Sequence, residues 1–127
     1  MTVNIASNAS IQSEWSYAAA TGGILNTTTA VTIKAAPVGP ATFRNYITDI
    51  QVNAEALGTA TELAVRDGAG GTVIWRIKIG TGGLTNGLAF SFNSPLRGSP
   101  GNLLEVVTLT ASTTGAVYFN AQGFSAQ

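Results

Sequence analysis

The sequence contains no cysteine and no histidine, and these absences remove much of the usual catalytic chemistry. Without them there is no Ser-His-Asp triad, no thiolate nucleophile, no imidazole base and no zinc site made of sulfur and imidazole ligands. A glycosidase needs two facing carboxylates within ~10 Å, whereas Asp49 and Glu55, on one predicted strand, are about 20 Å apart. We therefore expect no enzyme activity, no cofactor and no bound metal.

Charged side chains are scarce. Only 9% of the 127 residues are Asp, Glu, Lys or Arg, against about 25% in an average protein. Six basic and six acidic residues give a net charge of zero, so no concentrated positive field exists to bind nucleic acid. Copies of so neutral a protein repel one another little, which is typical of a subunit that buries part of its surface in an assembly.

Long hydrophobic runs are missing as well. No stretch approaches the ~20 apolar residues of a membrane helix. The N-terminal sequence MTVNIASNASIQSEW has neither the basic start nor the apolar core of a signal peptide. We expect no membrane partner, and synthesis in a cytoplasm.

What the sequence has in abundance is alternation of apolar and polar residues with a period of two. The clearest case is residues 72–79, in which Val73, Trp75, Ile77 and Ile79 are predicted to share one face. The pattern predicts about eight strands, at residues 14–19, 28–35, 43–56, 61–67, 72–79, 88–93, 102–110 and 116–124.

Glycine and proline clusters separate these segments. Asp67-Gly68, between two alternating runs, predicts a tight hairpin. The glycine-rich segment at residues 80–87, GTGGLTNG, is followed by a further strand pattern and contains no Gly-Lys-Ser/Thr. We interpret it as a strand connection, not a phosphate cradle. The sequence thus predicts an all-β, single-domain antiparallel sandwich at residues 14–127, with a polar N-terminal arm at residues 1–13. A jelly roll is the favoured architecture and an immunoglobulin-like sandwich is the alternative.

The alternation also predicts which way individual side chains point. Tyr46 is expected to share a face with Ile50, and Glu105, between two apolar neighbours, is expected to point outward into solvent. Trp15 and Tyr17 share a face that fits either the core or an interface.

Three segments of the C-terminal half resemble the ending of small virion structural proteins of tailed bacteriophages. They are SPLRG at residues 94–98, NLLEV at 102–106 and GAVYFNAQGF at 115–124. In that family a Pro-Leu-Arg-Gly loop precedes two closing strands, and the likeness covers about residues 43–127. Arg97, in a predicted loop at residues 94–101 between two prolines, is expected to pin that loop or to bind a partner subunit.

The resemblance implies a jelly-roll capsid decoration (cement) protein, a homo-trimer or homo-dimer bound to the major capsid protein at the virion surface. We expect contacts from the arm and from loops 36–42 and 94–101. The residues predicted to contact the capsid or a neighbouring subunit are Thr2, Val3, Asn4, Ile5, Trp15, Pro95 and Arg97. The alternative is a tail or baseplate component with a receptor- or glycan-binding role, using exposed aromatic side chains.

Overall fold

The computed structural model describes residues 13–127, which form nine β-strands and no helix. The strands are Ser13–Tyr17 (β1), Ile24–Leu25 (β2), Val31–Lys34 (β3), Arg44–Ala54 (β4), Thr61–Asp67 (β5), Thr72–Ile79 (β6), Leu84–Arg97 (β7), Leu104–Thr108 (β8) and Ala116–Ala126 (β9). Strands β5 and β6 have the predicted bounds. The two-residue strand β2 was not predicted, because so short a segment has no alternation to detect. In this part of the chain no helix has the length and apolar character needed to cross a membrane.

The strands form two antiparallel sheets packed face to face. The five-stranded sheet has the order β1-β9-β4-β7, with β2 also beside β9, and the four-stranded sheet has the order β3-β8-β5-β6. After β2 the chain changes sheets at every connection except the β5–β6 hairpin. This is the double-sheet jelly roll, so the predicted all-β sandwich is confirmed. The immunoglobulin-like alternative does not fit. In that fold the first two strands of the chain lie in one sheet together with the fourth and fifth, and the third, sixth and seventh form the other sheet, which is not the order found here.

The core lies between the two sheets and is built mainly from apolar side chains of the central strands. Phe119 is 1% exposed and contacts Tyr17 and Trp75 through tilted ring pairs with centroids 6.5 and 6.3 Å apart. Burial of each such side chain contributes about 1.5–3 kcal/mol. The other fully buried residues at the centre are Ile47, Ile50, Val52, Leu63, Val65, Leu104, Val106, Val117 and Ala121.

A bulge in β4 changes which residues face the core. Ile47 pairs with Gly123 and Asp49 pairs with the preceding residue of β9, so Thr48 is an extra residue without a register partner. Ile47 and Ile50 therefore both point inward, and Tyr46 points outward. The prediction that Tyr46 shares a face with Ile50 was wrong, because uninterrupted period-two counting cannot anticipate the extra residue.

A second bulge lies in β6. Trp75 pairs with Val65 and Val73 pairs with Arg66, which leaves Ile74 as the extra residue. Ile74 and Trp75 both pack against the core, whereas Val73 does not. The predicted position of Trp75 is confirmed, and that of Val73 was wrong for the same reason as in β4.

Strand β7 extends further than the sequence predicted. Ser91 pairs with Asp49 and Leu96 pairs with Ile47, so residues 92–95 bulge opposite a single residue of β4. Pro95 is tolerated there because β7 is an edge strand and proline cannot donate to a ladder. Residues 94–97 are thus strand, and the predicted loop begins only at Gly98.

Glu105 does not point into solvent, contrary to the prediction. It is 5% exposed, and Arg66, its neighbour on β5, donates from Nε to Glu105 Oε2 at 2.7 Å. The amide of Gly70 also donates to Oε2, at 3.0 Å. The glycine-rich turn after Asp67 folds back over the carboxylate, which the alternation pattern alone does not indicate.

Candidate functional site at the loop end of the sandwich

Three connections meet at one end of the sandwich, which we call the loop end: residues 36–43, 67–71 and 98–103. Asn45, at the start of β4, is fully buried beneath them. Its Nδ2 donates to the carbonyls of Ala35 at 3.0 Å and Asn102 at 3.4 Å, and its Oδ1 accepts from the Ser125 hydroxyl. One buried amide thus joins two loops to β9.

Asp67 fixes the loop that follows β7. Its carboxylate accepts from the Ser99 amide at 2.9 Å, the Ser99 hydroxyl at 2.6 Å and Asn102 Nδ2 at 3.2 Å. Burial alone would raise the pKa of Asp67, but the hydrogen bonds from Ser99 and Asn102 and the nearby charge of Arg44 outweigh it, so the pKa lies below its ordinary value. Arg44 Nη1 also donates to the Gly98 carbonyl at 3.3 Å. The charge that pins this loop is therefore Asp67, and not Arg97 as predicted.

The neighbouring loop, residues 36–42, has the sequence APVGPAT and no charge. Its last turn is closed by a bond from the Phe43 amide to the Pro40 carbonyl at 2.9 Å, and the Gly101 amide donates to the Phe43 carbonyl at 2.9 Å. Val38, between the prolines, is 97% exposed. Proline restricts the backbone of the loop in the free protein. The loop therefore presents an apolar side chain and would lose little conformational entropy in a contact.

The first described strand, β1, begins at this same end. Strand β1 begins at Ser13, which pairs with Ser125, next to the buried Asn45. The predicted contact residues Thr2, Val3, Asn4 and Ile5 lie outside the described residues. The start of β1 and the two loops predicted to make contacts nevertheless share one end of the molecule.

The remaining predicted contact residues lie along the five-stranded sheet. Arg97 ends β7, is exposed and pairs in register with Tyr46. Pro95 is half-buried in the β7 bulge. Trp15 packs against the core from β1, and its Nε1 is the one buried side-chain nitrogen or oxygen within residues 13–127 that has no hydrogen-bond partner.

A polar groove of about 570 Å³ runs along the outer face of this sheet beside β1. It is lined by Glu14, Trp15, Ser16, Thr48, Asp49, Gln122 and Gly123. Hydrogen bonds from the Ser91 hydroxyl at 2.7 Å and the Thr48 hydroxyl at 2.8 Å lower the pKa of Asp49. Asp49 is therefore ionised at neutral pH, and both of its oxygens already accept bonds from within the chain.

Further polar and aromatic side chains lie next to the groove on the same face of the sheet. Gln51 and Gln122 exchange two amide hydrogen bonds, at 2.8 and 3.0 Å. Beside them Tyr46 and Phe124 stack with ring centroids 4.6 Å apart and an interplanar angle of 13°. Across residues 13–127 no three acidic side chains come together in a way that could hold a metal ion.

The buried Asn45 was missed by the sequence analysis. It lies two positions before the core-facing Ile47, so the alternation of the strand places its amide on the core-facing side as well. A single asparagine at a core-facing strand position needs hydrogen-bond partners inside the protein, and this requirement could have identified Asn45 as a structural residue.

The strand order defines this chain as a jelly-roll β-sandwich with a braced loop end. No protein-family model matches the sequence, and no curated protein sequence matches it either. Among solved structures, the chain is similar to one in the cyanophage Pam1 capsid asymmetric unit, with 18% identity, a TM-score of 0.49, and coverage of 89% of this chain and 82% of that one. It is also similar to the tobacco streak virus coat protein, with 12% identity, a TM-score of 0.43, and coverage of 89% and 85%. Both TM-scores lie below 0.5, so neither likeness assigns a function.

Proposed function

We propose that this chain is a structural protein of a virus particle, specifically a decoration protein that binds the assembled head of a tailed bacteriophage as a homo-oligomer. Its partners are the major capsid protein and further copies of itself, and the proposal assigns it no catalytic step. The family resemblance of the segments at residues 94–98, 102–106 and 115–124 supports this function. All three segments contribute to the jelly roll: the first covers the end of β7, and the others cover the first part of β8 and most of β9.

The observation that carries the proposal is the construction of the loop end. Two uncharged, proline-containing loops, residues 36–42 and 98–103, lie beside the start of β1, and the hydrogen bonds of the buried Asn45 and of Asp67 hold them in place. A surface of this kind suits a large, pre-formed partner, because little order has to be created on binding.

The energetics of such contacts favour a multivalent arrangement. Each loop end offers a few apolar atoms and neutral hydrogen-bonding groups, so a single copy binds a shell modestly. Linking copies raises the effective concentration of the second and third contacts, and overall affinity increases by about 10²- to 10⁴-fold without any new contact.

The experiment that tests the proposal measures occupancy on purified phage heads that lack the protein. Val38→Asp should reduce occupancy, because it places a charge at the 97% exposed apolar tip of the loop end. Leu25→Asp is the matched control, since Leu25 is 55% exposed on β2, which pairs with the other end of β9. Equal occupancy for the two variants would contradict a contact through the loop end.

Two further measurements address the arm and the location. Deleting residues 2–12 should weaken occupancy and leave the thermal unfolding of the sandwich unchanged; undiminished occupancy would contradict the role of the arm. Copy number per virion should be in the hundreds for a head protein.

A tail or baseplate protein that binds host glycan is the second candidate. The groove beside the stacked Tyr46 and Phe124 favours it, because carboxylates, amides and an aromatic pair are groups that bind sugars. Sugar-dependent adsorption to host cells, with only a few copies per virion, would support this candidate over head decoration.

A further inference from the structure

The sandwich has four strand edges, and they differ in the charge that they carry. The β1 edge carries Glu14, the β3 edge carries Lys34, and the β6 edge carries Arg76 and Lys78. Charged side chains at an edge discourage pairing with other chains. Strand β7 has 14 residues and no charge from Leu84 to Leu96.

The side of the sandwich at β7 also exposes apolar surface. We call this surface the β6–β7 seam: Ile74, Trp75, Ile77, Leu88, Phe90 and Phe92. Leu88 is 43% exposed, and the other five are only partly buried although they pack against the core. Trp75 and Phe90 meet edge to face across the seam, with ring centroids 5.5 Å apart. The two sheets are thus joined here by side chains that remain partly in contact with water.

The backbone of β7 limits how the seam can be covered. Bulged segments at residues 85–87 and 92–95 interrupt its register with β4 and leave a short regular stretch, residues 88–91, between them. Bulges of this kind disfavour a long continuous ladder with a second chain. The seam therefore suits a compact contact made by side chains and a few main-chain bonds, and not open-ended sheet growth.

We propose that the β6–β7 seam is the surface through which two copies of this chain associate, with β7 of one copy against β7 of the other. A two-fold contact brings the same patch together from both sides, and because β7 carries no charge from Leu84 to Leu96, pairing of this stretch with its copy involves no like-charge repulsion. The chain as a whole has a net charge of zero, so association is not opposed at long range either.

The size of the seam sets the expected strength. The seam residues on β7, from Leu88 to Phe92, span about 17 Å at about 3.4 Å per residue, so a patch about 15 Å wide covers roughly 250 Å² per copy, well below the ~800 Å² per partner of a standard stable interface. The structure therefore predicts a weak, reversible dimer in solution, which becomes effective when copies are held close together on a shell. This last step rests on the proposed decoration function, whereas the solution dimer does not.

The test is sedimentation equilibrium of the full chain from about 5 to about 500 µM. The wild-type chain should show a monomer–dimer equilibrium, and Leu88→Lys should raise the dissociation constant at least about tenfold. Leu109→Lys is the matched control, because Leu109 is 46% exposed and follows β8, away from the seam. If Leu88→Lys lowers the melting temperature markedly, Leu88→Thr retains strand propensity and still removes apolar surface.

Three sedimentation results would overturn the proposal: a wild-type chain that stays monomeric throughout, an oligomer that Leu88→Lys leaves intact, or equal effects of the two lysine variants. A fourth contrary result would be that Leu88→Lys abolishes head binding although the wild-type chain does not self-associate. The last would make the seam a shell contact. Head occupancy is measured separately, so a seam dimer that binds no head would refute the decoration function and leave the seam proposal standing.

Discussion

The ion pair between Arg66 and Glu105 should be one of the largest single contributions of a polar contact to the stability of this sandwich. The Glu105 side chain is 7% exposed and that of Arg66 is 22% exposed. Removing one member of a fully buried pair costs about 3–5 kcal/mol. Because Arg66 retains some contact with water, we expect Glu105→Ala to lower the free energy of unfolding by about 2–3 kcal/mol, which corresponds to a fall in melting temperature of about 10 °C.

A second pair of the same residue types in the same sheet provides the control. Arg76 Nη1 and Glu62 Oε2 are 3.2 Å apart, but the Arg76 side chain is 58% exposed. Exposed pairs of this kind contribute about 0–1 kcal/mol. Glu62→Ala should therefore cost at most about 0.5 kcal/mol, because water replaces the lost contact at little expense.

Urea unfolding of the single and double alanine variants of each pair gives two double-mutant cycles. We expect a coupling energy of about 1.5–2 kcal/mol for Arg66–Glu105 and below about 0.5 kcal/mol for Arg76–Glu62. Equal coupling energies, or a cost below about 1 kcal/mol for Glu105→Ala, would refute the argument that burial sets the strength of the first pair.

Three further changes probe the backbone and the loop end. Gly123→Ala should cost at least about 2 kcal/mol in urea unfolding, because its Cβ would overlap the Tyr46 carbonyl oxygen; Gly82→Ala, in open space, is the control and should stay within about 0.5 kcal/mol. Asp67→Asn should lower the free energy of unfolding at pH 7, because the ionised carboxylate with its lowered pKa stabilises the folded state. The difference between wild type and variant should shrink as the pH falls below 3.8 and the carboxylate is protonated in both states. A difference that does not depend on pH would contradict this. Asn45→Ala should cost about 2–3 kcal/mol and speed amide hydrogen exchange in residues 98–102, and unchanged exchange would show that Asn45 does not brace the loop.

The sequence predicted where the strands lie better than it predicted which side chains face the core. Alternation located eight of the nine strands because each has at least four residues, and the hairpin at Asp67-Gly68 confirmed the turn chemistry. Single-residue bulges at Thr48 and Ile74 then reversed the faces of Tyr46 and Val73, and nothing in the local composition marks a bulge.

The candidate site was predicted in part. Two proline-containing loops, residues 36–42 and 94–101, were recognisable in the sequence, and the structure brings the first together with the part of the second that begins at Gly98. The hydrogen bonds that brace them depend on side chains distant in sequence, such as Asn45 with Ser125 and Asp67 with Ser99. The alternation of apolar and polar residues predicts local structure, but it does not predict contacts between residues that are distant in sequence. For the same reason Arg97, which is close in sequence, was predicted to do what Asp67 does.

The bracing of the loop end means that its loops take their arrangement late in folding. Asn45 and Ser125 are separated by 80 positions, and Asp67 and Ser99 by 32. Neither bond can form until β9 and β7, respectively, have been made and have docked. A chain still emerging from the ribosome, or one with the sheets unpaired, carries the same proline loops but holds them in no fixed arrangement. The proposed head binding therefore requires the completed fold.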